Sequence, residues 1–240
     1  MMFKSVVVVG SNGGIGAALI KQLSSQMPEA TIHALARKAI TSSLPNVIDY
    51  CVDFEQENAI EQVRDRITQH GAIDCMIIAT GLLHSANVKP EKTLKQLDYQ
   101  QLQTVFAANT FLPAILAKYF IPHLSKAYRS VFSILSARVG SISDNRLGGW
   151  YAYRASKAAL NMLIKTASIE TARTNKKAII VGLHPGTVET QLSQPFLGKV
   201  DDAKCFSPDL AAKQLLKVIH QLKSSDTGAV FDWKGELIEA

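Results

Sequence analysis

Short runs of apolar, β-branched residues alternate along the chain with longer segments in which apolar residues recur every three or four positions. Such short runs are typical of strands covered on both faces, and the longer period is typical of amphipathic helices. The predicted strands are residues 3–9, 31–36, 47–52, 74–80, 130–135, 177–183 and 228–233; the predicted helices follow residue 14 and cover about 56–69, 98–126, 150–173 and the segment from 207. This alternation predicts an α/β fold, a doubly wound parallel sheet of about seven strands with helices on both faces.

Nothing in the sequence divides the chain into parts. Its 240 residues fit one large α/β domain, and no linker, internal repeat or low-complexity segment interrupts them. Residues 191–206 combine mixed polarity with weak periodicity, as is typical of a mobile lid. We therefore expect a single domain over residues 1–240, with a substrate lid at residues 187–206.

Charge and cysteine content argue against several classes of function. Lys plus Arg number 26 against 20 Asp plus Glu, but these basic residues form no long run, so a nucleic-acid partner is not expected. Cys51, Cys75 and Cys205 are widely spaced, which indicates neither a zinc site nor a disulfide framework. The N-terminal apolar segment is too short for a signal peptide or a membrane span, so we expect a cytoplasmic protein with no membrane partner.

A glycine-rich turn, GSNGGIG at residues 10–16, joins the first predicted strand to the first predicted helix. A turn in this position directs backbone N–H groups and a helix N-terminus at an anion, which predicts a nucleotide phosphate site. The glycine spacing differs from the G-x-G-x-x-G fingerprint, and the alternative is a tight turn that merely needs small residues. The predicted cofactor-binding residues are Gly10, Ser11, Asn12, Gly14, Ile15 and Gly16.

The residues that follow the next three predicted strands indicate which nucleotide cofactor binds. The second predicted strand ends in Ala36, Arg37 and Lys38, where an acidic residue would bind ribose hydroxyls. An arginine there can instead hold a 2′-phosphate, so we interpret the site as one for NADP(H) rather than NAD(H). The alternative is a solvated basic loop. Asp53, after the third strand, could accept a hydrogen bond from an adenine amine, and small residues after the fourth strand, Ala79 and Gly81, would admit a ribose.

Two further pairs of residues suggest chemistry. Pro113 has no N–H to bond the carbonyl of Asn109, so a helix that continues through it would leave that carbonyl free to bind water. A kink needed only for packing is the alternative. Tyr153 precedes Lys157 by four residues, so on a helix the phenol and the ammonium share one face. A nearby positive charge favours the phenolate, which predicts a lowered pKa for Tyr153.

Taken together, these residues resemble the short-chain dehydrogenase/reductase family over nearly the whole chain. The glycine turn resembles the family's TGxxxGIG segment, with Val9 in place of its threonine. The resemblance implies a Rossmann-type fold, NADP(H) as cofactor, Tyr153 and Lys157 as the catalytic pair, and Asn109 as the holder of a water. The run GSISDNRLGGWYAYRASKAALNM resembles the branch of C-factor and sniffer-like carbonyl reductases. The further cofactor-binding positions that it implies are Asp53, Phe54, Ala79, Thr80, Gly81, Pro185, Gly186, Val188 and Thr190.

The sequence departs from the family pattern at two places. The family's Asn-Asn-Ala-Gly is here Ile78, Ala79, Thr80 and Gly81, so a scaffold hydrogen bond is replaced or lost. The second of two serines after the fifth strand, which polarises the substrate carbonyl in the family, is here an alanine, next to Ser136. We take Ser136 as the catalytic serine and Ser141 as the alternative; serines that only satisfy loop backbone groups are a third interpretation.

The resemblance implies an NADP(H)-dependent oxidoreductase acting on a small-molecule carbonyl or alcohol. The alternative is an NADP-binding sensor or signalling protein with little turnover. A nucleotide-sugar or methyl-donor enzyme is disfavoured, because it would not require the tyrosine, lysine and asparagine together. Apolar loop residues indicate an apolar substrate or a subunit contact, and the resemblance allows a homodimer or homotetramer; those residues are Trp150, Leu192, Pro195 and Phe196.

Overall fold

The computed structural model describes residues 3–38, 42–195 and 205–239. The strands are β1 (Ser5–Val9), β2 (Thr31–Ala36), β3 (Val47–Cys51), β4 (Cys75–Ile78), β5 (Ser130–Leu135), β6 (Ala178–His184), β7 (Thr187–Val188), β8 (Cys205–Phe206) and β9 (Val230–Asp232). The α-helices are α1 (Gly14–Gln26), α2 (Glu57–Thr68), α3 (Tyr99–Phe106), α4 (Leu112–Phe120), α5 (Tyr151–Ala172) and α6 (Pro208–Gln221). The predicted strands and helices are all present, with boundaries that differ by a few residues.

Seven of the strands form one parallel sheet in the order β3-β2-β1-β4-β5-β6-β9. The chain builds outward from β1 to β3 and then returns to the other side of β1 with β4, so the strand order reverses between β1 and β4. In doubly wound sheets this reversal opens a crevice at the carboxyl ends of the strands. The predicted α/β fold of the Rossmann type is confirmed, and its crevice lies beside the glycine turn that follows Val9.

The core has two layers, one on each face of the sheet. Alternate residues of one strand face opposite layers, as the period of two requires. Val8 of β1 belongs to the layer that packs against α1 and α6, whereas Val7 belongs to the layer that packs against α2, α4 and α5. Both valines are fully buried. This double cover explains why Val6–Val9 of β1 and the whole of β4 are apolar runs without polar alternation.

The helix predicted over residues 98–126 is continuous but not uniform. Asp98 caps its start by accepting a hydrogen bond from the N–H of Gln101. A π turn over Ala107–Phe111 joins α3 to α4, and a 3-10 turn over Ile121–His123 ends the segment. Among the described residues, Tyr99–His123 is the one helical segment long and apolar enough to cross a membrane by length and composition, a property that core helices of water-soluble proteins share.

The predicted lid begins and ends on a small structure that the sequence pattern did not indicate. Its flanking strands β7 and β8 pair in parallel, with Thr187 opposite Cys205 and Val188 opposite Phe206. The two ends of the predicted lid therefore lie side by side. Residues 196–204, which include Phe196 and the central part of the predicted lid, lie outside the described residues.

Candidate active site

The glycine turn is held against the sheet by the end of β2. The N–H groups of Gly10 and Ser11 both donate to the carbonyl of Leu35, at 2.9 and 3.2 Å. Gly10 has a φ of +83°, a conformation that favours glycine. A Cβ on Gly16 would lie 2.1 Å from the carbonyl oxygen of Gly10, so the turn can close onto α1 only with glycine at both positions.

The start of α1 is arranged to receive an anion. Its N-cap, Gly13, offers no side-chain acceptor, and the first turn holds no acidic residue. The positive end of the helix dipole and its first N–H groups therefore have no carboxylate of their own helix to neutralise them. A Cβ on Gly14 would lie 2.8 Å from the methyl group of Thr190, so the segment after β6 lies directly across the crevice. Ile15 packs against the core and anchors the turn.

The basic residues after β2 are tied to the glycine turn. The side-chain amide of Asn12 donates a 2.8 Å hydrogen bond to the carbonyl of Lys38. The carbonyl of Arg37 accepts from the thiol of Cys51 at 3.4 Å, and both basic side chains are exposed. Two cations thus lie beside the phosphate-binding turn and open to solvent. Asp53, whose carboxylate accepts from the N–H of Glu55, lies exposed after β3, and Phe54 packs against the core.

The segment after β4 carries a buried polar atom that the described protein leaves unpaired. The hydroxyl oxygen of Thr80 is buried, and no described residue bonds it. The methyl group of Thr80 and the carbonyl of Ala79 lie 3.1 Å from the position of a Cβ on Gly10. An unpaired hydroxyl at the wall of a crevice is costly unless a ligand or water bonds it. The residues therefore fit a bound nucleotide whose polar atoms reach this wall.

Asn109 fixes the loop that follows Gly81. Its side chain accepts from the N–H of Leu82 at 2.7 Å and donates to the carbonyl of Leu82 at 2.8 Å. The same amide nitrogen lies 3.1 Å from the hydroxyl of Ser156, one residue before Lys157. Asn109 is fully buried. The asparagine therefore locks the loop after β4 to the helix that carries the predicted catalytic pair.

The π turn explains how the helix passes Pro113. The N–H of Leu112 donates to the carbonyl of Ala107, five residues earlier, instead of four. One extra residue is thus accommodated in the turn that contains Asn109, and such turns occur often at functional sites. The prediction that Pro113 disturbs this turn agrees with the π geometry, whereas the water expected at the carbonyl of Asn109 stays a prediction.

Lys157 is buried beneath the crevice. Its ammonium donates a 2.8 Å hydrogen bond to the carbonyl of Leu135, the last residue of β5. Burial lowers the pKa of Lys157 to about 8. A Cβ on Gly81 would lie 3.8 Å from this ammonium nitrogen and 3.6 Å from the side-chain oxygen of Asn109. Three predicted site residues, from three separate parts of the chain, therefore meet at one point.

The prediction that Lys157 lowers the pKa of Tyr153 is wrong for this structure. The ammonium nitrogen lies 5.9 Å from the centre of the phenol ring. Burial raises the pKa of Tyr153 to about 12, because the phenolate would lose its solvation. The indole of Trp150 meets the Tyr153 ring edge-on, with centroids 6.3 Å apart. Tyr153 is therefore a protonated phenol at neutral pH.

Two serines were predicted as alternatives for the carbonyl-polarising hydroxyl. Ser136 donates its proton to the side-chain oxygen of Asn161 at 2.6 Å. Ser141 accepts from the N–H of Asp144 at 3.1 Å and lies 3.3 Å from the hydroxyl of Ser143, a pair in which either serine can donate. Both hydroxyls are buried, and Ala137 lies between them in the chain. Ser141 is thus the hydroxyl whose proton is not committed to an amide oxygen.

The end of β6 forms the far wall of the crevice. Gly186, after Pro185, has a φ of +79°, and a Cβ there would lie 2.7 Å from the ring of Phe206, so only glycine fits. Val188 is buried below it. Burial, with the nearby charge of Arg138 as a second cause, lowers the pKa of His184 to about 4.

Sequence reasoning missed three residues that complete the site. Ser156 ties Asn109 to α5, Asn161 accepts the proton of Ser136, and Glu91 caps the start of α5. The signals were weak, because each is an ordinary polar residue whose partner lies 25 to 61 positions away in the chain. Only the position of Ser156, directly before Lys157, marked it as a candidate.

The motifs and the geometry point to one family. A family model for short chain dehydrogenases matches residues 4–200. The chain belongs to the short-chain dehydrogenase/reductase family. This is a family of oxidoreductases, and the Tyr153-x-x-x-Lys157 pair, the glycine turn and the segment after β6 all occur in their expected order.

Relatives of this short-chain dehydrogenase/reductase include the C-signal protein of Myxococcus xanthus, 33% identical over 142 residues that cover 59% of this chain and 80% of that protein. The NADPH-bound carbonyl reductase from chicken fatty liver superposes with a TM-score of 0.86 at 23% identity, covering 100% of this chain and 95% of that one. The carbonyl reductase Sniffer of D. melanogaster gives 0.84 at 22% identity, covering 99% of both chains. The C-signal protein and Sniffer are thus among the proteins that this chain resembles, and the structural likeness establishes the fold.

Proposed function

We propose that this short-chain dehydrogenase/reductase uses NADP(H) to interconvert a small-molecule aldehyde or ketone and the corresponding alcohol. The observation that carries the proposal is the meeting of Asn109, Lys157 and Gly81 at the crevice where the strand order reverses. A glycine turn for phosphate, with a buried ammonium and a half-buried phenol on one helix, suits a site for hydride transfer coupled to proton transfer.

Under this proposal, separate parts of the site would hold the separate parts of the cofactor. The glycine turn and the start of α1 would hold the pyrophosphate, and Arg37, with Lys38 beside it, would hold a 2′-phosphate. Asp53 and Phe54 border the adenine, and Thr80 supplies an unpaired hydroxyl at the wall. The segment from Pro185 to Thr190 would hold the nicotinamide. NADPH supplies the hydride when bound.

The protein supplies the proton. Tyr153, whose raised pKa keeps it protonated at neutral pH, donates its proton to the carbonyl oxygen as that oxygen becomes the alcohol. Lys157 stabilises the phenolate that is left and holds the nicotinamide ribose. A water at the carbonyl of Asn109 would return a proton from solvent through Lys157. The lowered pKa of Lys157 suits this relay, because the group can release and regain a proton near neutral pH.

A serine polarises the carbonyl. We assign this role to Ser141 rather than to Ser136, because the proton of Ser136 is given to Asn161 and that of Ser141 faces another hydroxyl. A hydroxyl aimed at the developing negative charge lowers the barrier only if its proton is free to point there.

The test is a panel of aldehydes, ketones and quinones with the purified protein, read by the loss of NADPH absorbance. We expect turnover with at least one carbonyl, a preference for NADPH over NADH, and no turnover in Tyr153→Phe, which still binds NADPH. The Tyr153→Phe variant removes one oxygen atom from a half-buried side chain and serves as its own folding control through cofactor binding.

A different outcome would favour a second function. The alanine at position 137, where the family carries its polarising serine, and the similarity to the C-signal protein both favour a binding protein with little turnover. Tight NADPH binding together with no turnover across the panel would overturn the reductase and support an NADP-binding sensor.

A further inference from the structure

A carboxylate from the loop after β4 reaches the beginning of the catalytic helix. Glu91 is 2% exposed, and its side chain accepts a 3.2 Å hydrogen bond from the N–H of Ala152, the second residue of α5. Its own backbone carbonyl accepts the N–H of Trp150 at 2.5 Å. Glu91 thus holds two backbone N–H groups, two residues apart, directly before Tyr153, and the second of them lies 61 positions away in the chain.

The backbone that Glu91 holds has an unfavourable conformation. Gly148, Gly149 and Trp150 have φ angles of 61°, 65° and 51°. Trp150 is the one non-glycine residue with positive φ among those that the structure describes, and aromatic side chains rarely adopt that conformation. The guanidinium of Arg154 bonds the carbonyls of Gly148 and Gly149 from the other side. A turn of this kind persists only when its surroundings hold it in place.

Glu91 also supplies the N-terminal cap that the residues of α5 itself do not provide. The N-cap position of α5 is Trp150, which makes no side-chain cap hydrogen bond, and the first turn contains no acidic residue. Helix N-termini leave N–H groups unpaired unless an acceptor is supplied, and a carboxylate is the strongest acceptor for them. The carboxylate of Glu91 provides that acceptor from another part of the chain, at the residue directly before Tyr153.

The loop from Leu82 to Glu91 is consequently fixed at both ends. Asn109 holds Leu82 through two hydrogen bonds, and Glu91 holds the start of α5 through two more. We call residues 82–91 the strap. The strap joins the π turn to the turn before Tyr153, and the ring of Trp150 in that turn meets the ring of Tyr153 edge-on. A displacement of the strap at Glu91 would therefore move the phenol.

We propose that Glu91 is a positioning residue. Its carboxylate caps α5 from a distant part of the same chain, and its backbone carbonyl holds the left-handed turn at Trp150. Together these contacts orient Tyr153 for proton transfer. The proposal rests on the proposed function for its effect on turnover. Its effect on the Trp150 turn does not depend on turnover. The group needed is an acceptor of the Ala152 N–H, so an amide oxygen at the same place should replace the carboxylate.

The experiment compares Glu91→Ala, Glu91→Gln and a matched control. Asp74→Asn is the control, because Asp74 is also a buried carboxylate (4% exposed) that accepts two backbone N–H groups, those of Lys4 and Ser5, at the opposite edge of the sheet. We expect Glu91→Ala to lower kcat about 10- to 100-fold through misplacement of Tyr153, with the KM and the Kd for NADPH unchanged. Glu91→Gln should keep most of kcat, and Asp74→Asn should lose thermal stability but keep kcat.

A second measurement separates this proposal from the function itself. The chain has two tryptophans, so a Trp233→Phe background leaves Trp150 as the sole indole emitter. In that background Glu91→Ala should increase quenching of Trp150 by acrylamide, and Glu91→Gln should not. This readout needs no substrate, so a wild-type protein without turnover would overturn the reductase but leave the strap testable.

Several results would overturn the proposal. Wild-type kcat in Glu91→Ala would exclude a positioning role, as would a loss confined to the KM for NADPH. An equal fall in kcat for Glu91→Ala and Asp74→Asn at a matched loss of melting temperature would make the effect one of general stability. Unchanged acrylamide quenching of Trp150 in Glu91→Ala would show that the turn does not depend on Glu91.

Discussion

The ammonium nitrogen of Lys157 lies 2.8 Å from the carbonyl oxygen of Leu135, where β5 ends and the serine segment begins. The lysine therefore joins α5 to the end of β5 at the crevice. Since burial lowers its pKa to about 8, the charge that would hold a ribose changes within the range of ordinary binding assays.

The first prediction concerns this titration. Raising the pH through about 8 removes the proton from Lys157 in the free protein, which removes a charged donor to the cofactor. We expect the dissociation constant for NADPH, measured by nucleotide fluorescence, to be constant near neutral pH and to increase above about pH 8. In Lys157→Met the affinity should be weaker and should not depend on pH in that range. An identical pH profile for both proteins would contradict the role of the ammonium.

The second prediction separates the two serines. Ser141→Ala should lower kcat by about 10²- to 10³-fold, the usual effect of removing a donor to a developing oxyanion, while NADPH binding is unchanged. Ser136→Ala should leave kcat close to wild type and cost about 1 kcal/mol of stability, because it removes a hydrogen bond to Asn161. Steady-state kinetics and urea unfolding of both variants decide the assignment, and the reverse order of effects on kcat would return the role to Ser136.

Much of the fold could be predicted from the sequence, because strands buried on both faces appear in it as short apolar runs. Val7 and Val8 face opposite layers yet are both fully buried, so the run could only be a strand covered on both sides. The glycine turn could also be predicted from the sequence, because the close approach of Gly16 to Gly10 excludes a side chain. These features are local in the chain, and local patterns record them.

The parts that sequence reasoning missed depend on contacts between distant residues. Glu91 has no local pattern that reveals Ala152, 61 positions later in the chain, as its partner. The pKa of Tyr153 was predicted in the wrong direction because spacing shows that a lysine is near but does not show how deeply the phenol is buried. Burial is a property of the whole fold, and here it raises the pKa of the phenol.

The third prediction tests the cofactor preference. Arg37→Ala should weaken NADPH binding about 10- to 100-fold, the effect expected from the loss of a charge-assisted hydrogen bond. It should leave NADH binding unchanged. Asn12→Ala should weaken NADPH binding less, because the amide of Asn12 only holds the carbonyl of Lys38. Lys176→Ala, an exposed residue between α5 and β6, makes the same change in net charge and should have no effect. Equal weakening of NADH and NADPH by Arg37→Ala would argue against a 2′-phosphate contact.

The fourth prediction concerns Asn109 as the lock of the strap. Asn109→Asp keeps the shape and the acceptor for the N–H of Leu82 but loses the donor to the carbonyl of Leu82 and to Ser156. It also places a carboxyl group where no solvent reaches. We expect a loss of about 2–4 kcal/mol in the free energy of unfolding at neutral pH, measured with urea.

The direction in which the stability of Asn109→Asp changes with pH shows whether the buried carboxyl causes the loss. Burial favours the protonated form of the new carboxyl, so its folded-state pKa lies above the unfolded value, and stability is retained at low pH and lost as the pH rises through the folded pKa. The deficit of Asn109→Asp relative to wild type should therefore shrink on acidification. Asn46→Asp is the matched control, because Asn46 also donates to two carbonyls, of Met27 and Ala30, but is only partly buried, so water can hydrate a carboxylate there. A deficit in Asn109→Asp that does not vary with pH, or one no larger than in Asn46→Asp, would mean that the strap does not depend on a buried amide at this position.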